Sequence, residues 1–183
     1  MNTDMTIDLQ PFCFAVDDYT RYDLTEPFVF DGWRYATNSR VMVRVPAPGE
    51  ANTSGRNLPD VTSLVRQMSR CRKKPHKASE VICFREPHQC PTCGHSEQKP
   101  TAYFAGRMYF DPQWLGPVMA LPGLAWARVK VKHEHPMCDS DAMCFRFDGG
   151  EGMAMPMDPN CDNAKDVWAR YRKDRRQREI VKS

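Results

Sequence analysis

Residues 83–95 read CFREPHQCPTCGH, and within them Cys90-Pro-Thr-Cys93-Gly has the spacing of a zinc knuckle. Two residues between the thiolates let both grip one tetrahedral ion, and the glycine permits the tight turn that aims backbone amides at sulfur. A closed structural site needs two more ligands, and Cys71, Cys83, His76, His88 and His95 are the candidates. Cys71 and Cys83 are favoured. The run VICF can hold Cys83 on a strand beside the knuckle, Cys71 ends the preceding helical pattern, and His95 is awkwardly close to Cys93 for joint chelation. The expected cofactor is Zn2+ on Cys71, Cys83, Cys90 and Cys93, set against a redox dithiol or two surface cysteines. Cys13, Cys138, Cys144 and Cys161 lack metal spacing and read as free thiols.

Eight cysteines in a secreted chain would argue for disulfides. The N-terminus MNTDMTIDLQPF, however, carries acids where a signal peptide needs a basic head and has no apolar stretch. A cytoplasmic, reducing location is therefore expected, and reduced thiols are free to bind metal. No apolar run is long enough to span a membrane.

The net charge of +3 hides a polarised layout. Residues 61–79 hold Arg66, Arg70, Arg72, Lys73, Lys74 and Lys77 and no acid, while Asp4, Asp8, Asp17, Asp18, Asp23, Glu26 and Asp31 crowd the first 33 positions. Clustered long cations release counterions when they meet a phosphate backbone, so these six are candidate nucleic-acid contacts, DNA first. The bland alternative is a solvated helix surface. The C-terminal segment offers Trp168 and Tyr171 as anchors beside Arg172, Arg175 and Arg176, a candidate surface for a replication or host protein. Its interleaved acids equally suit helix-stabilising ion pairs.

Catalysis finds little support. There is no phosphate-binding glycine loop, no Gly-x-Ser-x-Gly and no His-Glu-x-x-His, and His133-Glu-His135 precedes a proline in a loop-like stretch. The chain reads as a non-enzyme.

These residues need elements to position them. PFVFDGWRYATNSRVMVRVP, residues 27–46, has turn signals at Asp31-Gly32 and Asn38-Ser39 between three β-prone runs, which predicts a three-stranded meander. Val41, Val43 and Val45 alternate with Met42 and Arg44, which predicts one buried and one partly wet face. A loop follows over 46–60, then a helix capped by Asp60 and patterned by Val61, Leu64, Val65 and Met68, ending before Pro75. Beyond the cysteine-rich stretch, TAYFAGRMYF predicts a strand and DPQWLGPVMALPG a helix. AWARVKVKH, AMCFRFDGG and EGMAMPMD predict three more strands, the last two joined in a hairpin at Asp148-Gly149-Gly150. The fold class is α+β.

Two stretches carry a resemblance. WRYATNSRVMVRV, residues 33–45, resembles the strand-turn-strand of the bacterial DNA polymerase III beta sliding clamp, and EGMAMPM, residues 151–157, resembles the Met-Pro-Met strand that ends such chains. The resemblance implies a clamp-like domain of two helix-plus-antiparallel-sheet halves. The first half would be residues 1–48 and the second 101–160, with 49–100 an inserted loop, helix and zinc module and 161–183 a basic C-terminal helix. It implies a part in DNA replication or repair. Clamps of that family have three such domains per chain, so one domain would need a homo-oligomer of about six copies to encircle DNA.

The expected function is a non-catalytic clamp-like protein binding DNA, replication proteins or both, of a size that suits a phage. The alternative is a protein-binding regulator or inhibitor of viral type that occupies a partner surface.

Overall fold

The computed structural model describes residues 7–14, 22–69, 75–89, 91–93, 95–131, 140–157 and 169. The fold is α+β, with ten antiparallel strands and two α-helices among the described residues. The chain divides into two compact units, Met1–Ala78 with Gln113–Met155, and Ser79–Pro112 with Pro156–Ser183.

In the first unit, strands β1 (Phe28–Phe30), β2 (Trp33–Thr37) and β3 (Val41–Pro46) form the expected meander. Asp31 and Gly32 both have positive φ (50° and 71°), as a two-residue hairpin turn of the favoured handedness requires. At the next turn the Asn38 side chain accepts the Arg40 and Val41 amides at 3.1 and 2.8 Å. Helix α1 (Thr62–Ser69) starts where Asp60 Oδ1 accepts the Thr62 amide at 2.8 Å. Strands β4 (His76–Lys77), β8 (Ala125–Val131), β9 (Ser140–Phe147) and β10 (Gly150–Ala154) complete a seven-stranded sheet of order β1-β2-β3-β10-β9-β8-β4. The N-terminal meander and the C-terminal strands thus meet edge to edge at the β3–β10 pair.

At β3 both faces of this sheet are covered, which corrects the expectation of a partly wet face there. Met42 joins Phe28, Tyr35, Cys144 and Met153 in a core closed by Val61 and Met68 of the α1 segment. Each such side chain, fully buried, stabilises the fold by about 1.5–3 kcal/mol over the exposed state. On the opposite face Val41, Val43, Met143, Phe145 and Ala154 are buried as well, and a 3-10 turn at Gln10–Phe12 packs on β2 and β3. Helix α2 (Pro112–Met119) forms over the expected stretch and buries Leu115 and Val118.

The outer edge of β1 is occupied by its own following loop. Val29 donates its amide to Thr53 Oγ1 at 2.8 Å and accepts the Thr53 amide at 2.9 Å, and the Asp31 amide reaches Asn52 Oδ1 at 2.9 Å.

In the second unit, β5 (Ile82–Gln89), β6 (Ser96–Ala105) and β7 (Met108–Phe110) form a three-stranded sheet. TAYFAGRMYF is therefore two strands turning at Gly106-Arg107, where Gly106 has φ 63°, and it pairs with β5 instead of joining the larger sheet. The strand expected over EGMAMPMD ends at Ala154: Met155 bonds to the Arg40 carbonyl, and Met157, in the second unit, bonds to the Tyr109 carbonyl. Among the described residues no helix is long and apolar enough to cross a membrane.

Candidate nucleic-acid interface

Strand register places a row of side chains across the α1-covered face of the larger sheet. Directly paired neighbours run Phe28, Tyr35, Arg44, Glu151, Arg146, Ala125 and Lys77, from β1 to β4. Paired residues share a face, so all seven project to the same side.

Arg44 is the buried charge of the row. Its Nε lies 3.0 Å from Glu151 Oε1, its Nη2 also donates to that oxygen, and its Nη1 donates to Tyr35 Oη at 3.3 Å. The guanidinium carbon sits 4.0 Å from the centre of the Trp33 ring, a cation–π geometry. Burial works against this charge, yet the hydrogen bonds to Glu151 and Tyr35 outweigh it and hold Arg44 above its ordinary pKa. The other Glu151 oxygen faces Arg146 Nε at 3.5 Å, and the Arg146 side chain is 77% exposed. One carboxylate thus stands between two guanidiniums, leaving the row net positive.

Next to Arg146 a cavity of about 150 Å3 opens, lined among others by Met68, Pro75, Ala127, Cys144 and Glu151. Arg70, Arg72, Lys73 and Lys74, four of the six expected contacts, fall outside the described residues. Of the other two expected contacts, Arg66 is exposed on α1 and Lys77 is exposed on β4 at the end of the row.

The expected zinc ligands are less gathered. Cys71 and Cys90 lie outside the described residues, and Cys93 is exposed in the turn between β5 and β6. Cys83 stands on β5 opposite Tyr103, six residues before Gln89, so about 20 Å of strand separates it from that turn. The β5–β6 ladder does not bring Cys83 and Cys93 together. His88 and His95 are exposed beside the turn, while His76 in the first unit stacks on Trp126 with ring centres 4.5 Å apart. Among the described residues no three His, Cys, Asp or Glu side chains gather as metal ligands. Trp168, Tyr171, Arg172, Arg175 and Arg176 fall outside the described residues.

Cys13 is an unpromising nucleophile. Burial pushes its thiol up to about 11, against the pull of Arg56, so at neutral pH it carries a proton.

Sequence reasoning missed Arg146 and the Arg44–Glu151 pair. Arg146 is a single cation between Phe145 and Phe147, and its charge cluster exists only through the pairing of β9 with β10 and β8. Its one signal is that a charge at period two between phenylalanines must face away from theirs. When the chain is compared with known protein families, curated proteins and solved structures, none matches it.

Proposed function

We propose that this is a non-catalytic, clamp-like protein of DNA replication or repair, which binds DNA through the basic end of the α1-covered sheet face. One observation carries the reading: Arg66, Lys77 and Arg146 are exposed on α1, β4 and β9, and Lys77 and Arg146 stand in one row on the sheet face that α1 covers. Several cations on one surface release counterions on meeting phosphates, which suits affinity with little sequence preference. The clamp-like part rests on the resemblance of residues 33–45 and 151–157, and the joining of both stretches in one sheet through β3–β10 is compatible with it. The β5–β6 turn would carry a zinc knuckle with Cys90 and Cys93 as its thiolate pair; Cys93 is accessible there, and thiolate chemistry suits Zn2+. Bound zinc would stiffen the turn and take no part in a reaction.

The test is a salt titration of duplex and single-stranded DNA binding, with charge reversal at Arg66, Lys77 and Arg146. Wild-type protein binds at low salt with an affinity that falls steeply as salt rises, and each reversal that removes a phosphate contact lowers the log–log slope by about one. Unchanged binding in the triple variant would overturn this assignment.

A further inference from the structure

The same sheet face continues past the charged row with aromatic side chains. Phe30 pairs with Trp33, and both lie two residues along their strands from Phe28 and Tyr35, so they project to the α1 side. Phe30 is 44% exposed, one of two large hydrophobic side chains so exposed among the described residues. Trp33 is partly buried and carries the Arg44 guanidinium on its ring. Five strand steps, about 24 Å, separate Trp33 on β2 from Lys77 on β4, with Arg146 about 14 Å along that path. Aromatics at one end and cations at the other thus share one sheet surface.

We infer that the nucleic acid this face prefers is single-stranded, with a base stacked on Phe30 beside Trp33 and the backbone running over Arg146 toward Lys77. The inference rests on the binding reading above and adds the form of the ligand. A duplex keeps its base faces inside its own stack and meets only the cations. A single strand offers every base a π-face, and exposed phenylalanine on a sheet stabilises such a contact without reading sequence. The span suits a short strand, within the ~4–16 nucleotides that single-strand-binding folds cover.

The experiment compares Phe30→Ala, Phe30→Tyr and the Arg146→Glu/Lys77→Glu double variant, binding oligothymidine of about ten residues and a short duplex at low salt. Phe30→Ala is expected to weaken oligothymidine binding roughly tenfold and leave duplex binding within about twofold, while Phe30→Tyr retains both. Oligothymidine should also quench tryptophan emission, with part of that quenching lost in Trp33→Phe. If Phe30→Ala leaves oligothymidine binding intact, or weakens both ligands equally, while the cation variant weakens both, the stacking inference fails and the electrostatic assignment survives. Absence of binding to either ligand at low salt overturns both.

Discussion

Arg44 is a cation inside an apolar layer, tolerable because its guanidinium donates along its edge to Glu151 and Tyr35 and lays one face on Trp33. Removing one member of such a pair leaves the other charge buried and unmatched. Glu151→Gln is therefore expected to cost about 3–5 kcal/mol, read as a lower urea midpoint, and Arg44→Met with Glu151→Leu to recover most of the loss. Period-two patterning in residues 41–45 correctly assigned the valines to one face, but the same pattern made Arg44 look like a solvent residue. What buries it is an acid 107 positions away in sequence, and no local pattern carries that information. Arg146 was hidden for the same reason, since its neighbours in space sit on β8 and β10.

Strand β10 is the central element through which both parts of the larger sheet join, and its glycines make that possible. A methyl group at Gly152 would be driven into the Met42 carbonyl oxygen of β3 and into the Phe145 ring, which lies over its directly paired glycine. Phe147 covers Gly150 in the same way. Gly152→Ala is expected to destabilise by about 1–3 kcal/mol, measured by chemical denaturation, with no change for alanine at the unobstructed Gly116 beyond about 1 kcal/mol. Most elements were legible because their turns advertise themselves: Asp31-Gly32, Asn38-Ser39 and Asp148-Gly149 all fall between strands. Gly106 marks a turn just as Gly149 does, but it sits in so continuous an apolar run that TAYFAGRMYF reads as one strand. Which sheet it joins was beyond reach, because its pairing with β5 is set by register across the cysteine-rich stretch.

At the level of the molecule, the α+β class followed from alternating patterns in the sequence, while the metal question turns on distance. Purified protein is expected to hold about one zinc per chain by elemental analysis; Cys90→Ser and Cys93→Ser should each lose it, and Cys83→Ser should keep it, given the length of strand between Cys83 and the turn. The run VICF does place Cys83 on a strand, but β5 carries it away from the turn and not beside it. Self-assembly is constrained by the way Thr53 and Asn52 lie along β1. Copies of the chain cannot zip their larger sheets into one continuous ribbon through that margin unless the loop first peels away, so a closed ring built from this protein would have to be glued by side chains there.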